Sequence, residues 1–335
     1  METKRFMMNG SNDEAKIKEA AQLLREGEVV AFPTETVYGL GADASNAQAI
    51  EKIFQAKGRP SDNPLIVHVA SKAQLQTLVE PYPAYVDTLI DRFSPGPITY
   101  VLKSKGNVAK NVTANLQTVG VRIPNNDIAL ALLKACNLPI AAPSANISGK
   151  PSPTRGSHVY DDLKGKIAGI VEGAPAEIGL ESTVIDCTGE VPLILRVGTI
   201  TRQDIQEVIG RVDMLETKEP SIQPKSPGLK YKHYEPEVPL ILVTENDKVQ
   251  AVIDEQKASG NRVGALVSDQ TAELVRADEV IALGGTETMM ANKLYDILRS
   301  FNKSELDVVV CETLPTEDVG LAVMDRLRRA ATTII

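Results

Sequence analysis

Two cations set around a glycine, Lys57-Gly58-Arg59, stand where an apolar helical stretch gives way to Pro60 and then to the strand-like run Leu65–Val69. Cations at a helix end offset the partial negative charge of its last carbonyls, so one reading is a helix cap. The other is a seat for an anion, with lysine as a point charge and arginine as a planar fork for carboxylate or phosphate.

Similar residues recur where other apolar runs begin or end. Phe32 leads into PTETVYG, and Ile140 leads into Ser144-Ala145-Asn146. Arg122 interrupts Val119–Ile123, Ser182-Thr183 opens a further run, and Arg196 closes Leu193–Leu195. Ligands of open α/β sheets bind where strand ends and their loops meet. Brought together, Lys57, Arg59, Arg122 and Arg196 with Ser144, Asn146 and Ser182 make an anion pocket with few carboxylates. Each residue also has a plain structural reading: a solvated helix end, a Ser/Asn turn, an ion-paired arginine, or, for His68 among valines, a satisfied half-buried histidine.

To hold such a pocket the chain needs a sheet, and its periodicity supplies one. Ile17, Ala20, Ala21 and Leu24 repeat at helical spacing over Asn12–Arg25, with Gly27 as a stop. Val29–Phe32 reads as a buried strand. Ser45 and Gln48 form a capping box for a helix that ends at Lys57-Gly58. Short strands are predicted at Leu65–Val69, Thr99–Leu102, Val119–Ile123, Ile140–Ala142, Ser182–Asp186 and Leu193–Leu195. Helices intervene irregularly, so residues 1–215 read as an α/β domain with a large mixed sheet. Residues 216–238, rich in Pro and Lys and poor in aliphatic side chains, read as an extended linker. In residues 239–335 the strands Leu240–Val243, Val263–Val267, Glu279–Leu283 and Val308–Cys311 alternate with helices such as Met289–Ser300. They describe a smaller, Rossmann-like parallel domain.

With 335 residues, 43% apolar and 24% charged, the chain is an ordinary globular one of two domains. Its net charge of −8 argues against a surface that grips nucleic acid backbones, so no stable direct complex with nucleic acid is expected. Cys136, Cys187 and Cys311 form no C-x-x-C, which suits reduced, buried thiols in a cytoplasmic protein. No apolar run is long enough to cross a bilayer, and no membrane association is expected. There is no G-x-x-x-x-G-K-[ST] loop. Gly39-Leu40-Gly41-Ala42-Asp43-Ala44 matches a dinucleotide fingerprint only by letter, because no strand runs directly into it and no helix opens there; its glycines read instead as a loop passing close to other backbone. Gly284-Gly285 reads as a tight strand-to-helix turn.

PTETVYGLGADA, the K-x-R of Lys57-Gly58-Arg59, SDNPLIVHV, SPGPITYVL, the S-x-N of Ser144-Ala145-Asn146, ESTVID and the linker SPGLKYKHYEP occur in one order. In that order the chain resembles the YrdC-like threonylcarbamoyl-AMP synthases in their long, two-domain form. Arg196-Val197-Gly198 departs from that pattern, which has proline between arginine and glycine, and a looser turn is expected there.

The resemblance implies a twisted sheet with a concave basic cavity. It further implies a nucleotidyltransferase that makes threonylcarbamoyl-AMP from L-threonine, bicarbonate and ATP. Pyrophosphate is released, and a downstream tRNA-modifying transferase complex takes up the product. It implies that Lys57 and Arg59 are the catalytic cations and bind ATP together with Asn63, Ser144, Asn146, Ser182, Arg196 and Tyr234. Thr34, His68, Arg122, Thr183 and Tyr231 would hold threonine, with Arg122 on the carboxylate. Tyr231 and Tyr234 would act as a lid. Mg²⁺ would ride mainly on the ATP phosphates, and no metal site of the protein's own is expected. Two rivals remain: a non-catalytic RNA-binding module with a basic cavity, and an enzyme using carbamoyl phosphate.

Overall fold

A computed structural model describes residues 2–9, 13–215 and 234–335, which form two compact units. The first takes in residues 2–9, 13–148, 152–177 and 181–215; the second takes in 149–151, 178–180 and 234–335. A mixed sheet organises the first unit, 11-stranded among the described residues. Its strands are β1 (Lys4–Met7), β2 (Val30–Phe32), β3 (Gly39–Asp43), β4 (Ile66–His68), β5 (Ile98–Lys103) and β6 (Thr118–Arg122). They continue with β7 (Ile140–Ala141), β8 (Gly169–Glu172), β9 (Thr183–Asp186), β10 (Leu193–Arg196) and β11 (Asp213–Met214). Their order across the sheet is β1-β8-β2-β3-β7-β4-β6-β5-β9-β10-β11.

Which face a side chain takes follows from the register, because successive residues of a strand point to opposite sides. Val67 pairs with Ala141 and Val121, and all three lie in the main core. Helices Ala47–Lys57, Lys72–Leu78 and Tyr85–Phe93 cover that face through Ile50, Ile53, Leu75, Leu78, Val86 and Leu89. The neighbours in sequence, Ile66, His68, Gly120 and Arg122, therefore stand on the other face. That face is divided. Around β2, β7 and β8 it packs on helices Asp13–Arg25 and Asp127–Cys136, with Ile17, Leu24, Leu132 and Leu133 against Val30, Phe32 and Ile140. From β4 to β10 it carries only a small apolar cluster of Ile66, Val101, Val184 and Leu195. His68, Arg122, Thr99 and Ser182 stand on this second part, and all four are buried.

Two local expectations are corrected. Asn46, not Ser45, caps the helix Ala47–Lys57: its side chain accepts from the amides of Gln48 and Ala49, while Ser45 donates to Asp43. Gly39–Asp43 is strand β3, paired with β2, not a loop. The close approach the glycines were read to allow is real. A Cβ at Gly41 would lie 2.8 Å from atoms of Phe32 and of Ile140.

The second unit holds β12 (Leu240–Val243), β13 (Val263–Val267), β14 (Glu279–Ala282), β15 (Val308–Glu312) and β16 (Thr333–Ile334), in the order β14-β13-β15-β12-β16. Every pairing is parallel, as the alternating pattern predicts for a Rossmann-like domain. Gly284, at φ 122°, makes the turn between β14 and the helix Glu287–Ser300. Cys136, Cys187 and Cys311 are free and buried, and burial pushes each thiol up. Among the described residues no helix is long and apolar enough to cross a membrane.

Candidate functional site

The helix Ala47–Lys57 stops because Gly58 takes the left-handed conformation (φ 60°), and its amide and that of Arg59 turn back onto Phe54. This turn sends Lys57 and Arg59 in different directions. Lys57, only 2% exposed, points inward, where its ammonium donates to the carbonyls of Ser144 (2.6 Å) and Asn146 (2.5 Å). In return the Lys57 carbonyl accepts from Ser148. The K-x-R and S-x-N segments thus form one unit, with a buried positive charge at its centre. Ser144 is bridged to Gly39 at the head of β3. Arg59, half-buried, donates to the carbonyls of Asn63 and Pro64. The Asn63 side chain is 1% exposed, and among the described residues neither its amide nitrogen nor its oxygen has a hydrogen-bond partner. A buried amide in that condition costs stability until a ligand or water engages it.

A second group gathers on β4, β6 and the PTET loop. Arg122 donates through Nε to the Gly96 carbonyl (3.2 Å) and through Nη1 to Thr36 Oγ1 (2.9 Å), and its Nη2 lies 2.7 Å from Glu35 Oε1. Thr34 and Thr36 share a hydrogen bond of 2.8 Å, and Thr34 also donates to the Val37 carbonyl. His68 pairs in register with Arg122, and its ring meets Phe32 edge-on at 5.9 Å between centroids. Glu35 and Thr36 are the residues the motif reading passed over. The available signal was a lone acid between two threonines, directly after a buried strand and in an otherwise cationic set.

A third group lies at β9 and β10. The strands shift register between Ile194 and Arg196, a bulge of the kind that re-aims a side chain. Arg196 then donates through Nε to the Ser182 carbonyl and through Nη2 to its hydroxyl, both at 3.1 Å, and that hydroxyl also bonds Thr99. Thr183 is different: its hydroxyl is committed to the Ile200 carbonyl at 2.7 Å. A Cβ at Gly198 would lie 2.4 Å from the Thr183 amide nitrogen, so the turn after Val197 is packed tightly, not loosely. Tyr234 belongs to the second unit, where it is buried at φ 69° and stacks on Tyr295 with centroids 5.2 Å apart. Tyr231 lies outside the described residues.

Burial, reinforced by the positive Arg122, pulls the His68 imidazole down to about 3, so it is neutral at physiological pH. The unfolded chain, with an ordinary histidine near 6.5, binds more protons than the native one between those values, so His68 makes stability rise with pH over that window and leaves it flat above. His68→Gln should therefore lose less stability than wild type when the pH is lowered from 6.5 to 4.5. Denaturant midpoints at the two pH values check this; equal losses would show that His68 is not buried neutral.

The Sua5–YciO–YrdC family model, described as telomere recombination, matches residues 22–198. The model of the threonylcarbamoyl-AMP synthase C-terminal domain matches residues 200–332. A threonylcarbamoyl-AMP synthase of Bacillus subtilis is 48% identical over 99% of this chain and 98% of its own length. One of Schizosaccharomyces pombe is 36% identical over 97% and 90%. Among solved structures, Pyrococcus abyssi Sua5 complexed with L-threonine superimposes with a TM-score of 0.93 at 42% identity, covering 100% of both chains.

Proposed function

The chain belongs to the Sua5–YciO–YrdC family, and from that membership we infer that it is a threonylcarbamoyl-AMP synthase. It joins L-threonine, bicarbonate and ATP into threonylcarbamoyl-AMP with release of pyrophosphate, for N6-threonylcarbamoyladenosine modification of tRNA by a downstream transferase complex. The observation that supports this reading is a set of cations held by neutral partners. In a chain of net charge −8, Lys57 is held by the carbonyls of Ser144 and Asn146, Arg122 donates to Gly96 and Thr36, and Arg196 donates to Ser182.

Threonine's neutral amine and bicarbonate give a carbamate with loss of water, and a carbamate oxygen attacks the α-phosphorus of ATP as the bond to pyrophosphate breaks. Such displacement needs alignment and charge neutralisation more than proton transfer. Lys57 and Arg59 face the phosphates; Asn63, Ser144, Asn146 and Ser182 supply neutral hydrogen bonds, and Arg196 a further cation. Thr34, neutral His68 and Arg122 hold the amino acid, and Thr183 supports them from behind through its bond to Ile200. Magnesium enters as part of the MgATP substrate.

We place the flat base of ATP against Ile66, Gly120, Val101 and Val184, which line a small apolar hollow. A Cβ at Gly120 already comes 3.3 Å from the Thr99 methyl, so Gly120→Val fills this hollow. Overpacking of that kind is worth about 1–3 kcal/mol, and KM for ATP should rise roughly 5- to 100-fold with threonine affinity little changed. A normal KM for ATP would move the base elsewhere.

Steady-state pyrophosphate release, with each substrate omitted in turn, tests the function. Release should require all three. Release without threonine or bicarbonate, or release sustained by carbamoyl phosphate in their place, would point to a different reaction on this scaffold.

A further inference from the structure

Glu35 is 4% exposed, and among the described residues it is paired with Arg122, whose Nη2 lies 2.7 Å from its Oε1. That contact is an ion pair without the alignment of a hydrogen bond, and among the described residues neither carboxylate oxygen has a hydrogen-bond partner. Arg122, by contrast, is well held from two sides, by the Gly96 carbonyl and by Thr36. A buried carboxylate is kept charged at low cost only when several donors saturate it. Glu35 has one cation and no aligned donor, so the site is built for a second donor that arrives with a ligand.

We propose that Glu35 receives the α-ammonium group of the amino-acid substrate, so that Arg122 and Glu35 together form a clamp for a zwitterion. This rests on the reading above, in which Arg122 takes the substrate carboxylate. A second carboxylate on Arg122 meets Glu35 there, and two anions on one guanidinium repel each other. The substrate brings the remedy in the same molecule, since its ammonium sits one carbon from its carboxylate. Threonine exchanges one unsaturated pair for two cross-pairs: carboxylate on Arg122 and ammonium on Glu35. His68 is the other titratable group beside Arg122, and it is neutral, so it does not compete with Arg122 for the carboxylate or with Glu35 for the ammonium. The clamp selects α-amino acids over 2-hydroxy acids, which satisfy Arg122 and leave Glu35 unsaturated.

The alternative is that Glu35 merely occupies Arg122 until threonine displaces it. The two ideas give opposite signs in Glu35→Gln. Calorimetric titration of the full-length protein with L-threonine, with 2,3-dihydroxybutyrate (threonine with its amine replaced by hydroxyl) and with MgATP separates them. On the clamp, Glu35→Gln weakens threonine by roughly 30-fold or more, the scale of losing one partner of a buried charge pair. It brings threonine and the hydroxy acid within a few-fold of each other and leaves MgATP binding unchanged; Glu35→Asp falls between. Threonine bound as tightly as by wild type, or more tightly, overturns the clamp in favour of the occupant. Loss of threonine and MgATP together, with a lowered melting temperature in both variants, assigns Glu35 to folding instead. Wild-type protein that binds MgATP but no threonine overturns the reading beneath the clamp, a result distinct from these.

Discussion

Lys57→Ala lowers kcat/KM for pyrophosphate release by about 10²–10³, the scale of removing one preorganised electrostatic donor. Two effects combine. The buried cation proposed to face the phosphates disappears, and the carbonyls of Ser144 and Asn146 lose the donor that ties their loop to the helix end. Unsatisfied buried acceptors cost about 1–3 kcal/mol each, so the melting temperature should fall as well. Lys57→Met should show both effects without a cavity, since it keeps the length of the side chain and removes the charge together with its hydrogen bonds. The expected outcome is a loss in kcat that persists when all three substrates are saturating. Turnover at the wild-type rate in Lys57→Ala would reduce the motif to a helix cap.

Arg122→Leu is expected to destabilise the first unit by about 3–5 kcal/mol, because it leaves Glu35 charged, buried and without its cation. The Gly96 carbonyl and Thr36 hydroxyl lose their donor too. Adding Glu35→Gln to Arg122→Leu should recover more than half of the loss, since the stranded charge is then gone, and a double-mutant cycle reads the coupling directly. Arg122→Lys restores charge but not shape. An ammonium on a flexible stem cannot span Gly96, Thr36 and a substrate carboxylate at once, so KM for threonine rises while ATP affinity holds. Additive losses in the cycle would mean that the two side chains do not act as a pair.

The sheet was legible in the chain wherever strands are aliphatic and β-branched: Val119–Ile123 and Val263–Val267 match β6 and β13 within a residue. β3 was not, because Gly39-Leu40-Gly41 lacks the residues that favour strands and owes its conformation to packing under Phe32 and Ile140. β11, with two residues, carries too little pattern to read. Lys57, Ser144 and Asn146 could be picked out because a helix end and a strand end each announce themselves through glycine, proline and small polar residues. That they bind one another is a tertiary fact, invisible to spacing. Arg122 was read as a substrate arginine and is found already engaged by Glu35. Local sequence gives the charge of a side chain but not the partner that a fold brings from 87 residues away, and here 122 − 35 = 87. The bulge that turns Arg196 toward Ser182 is hidden for the same reason.

Mass spectrometry of the nucleotides formed by the purified protein from ATP, Mg²⁺, L-threonine and ¹³C-labelled bicarbonate reaches the central assignment most directly. The expected product is a threonylcarbamoyl adenylate that carries the label in its carbamoyl carbon and is absent when any one substrate is withheld. AMP or ADP without such an adenylate, or bound ATP left intact under every combination, would contradict a synthase and return the basic face to simple binding.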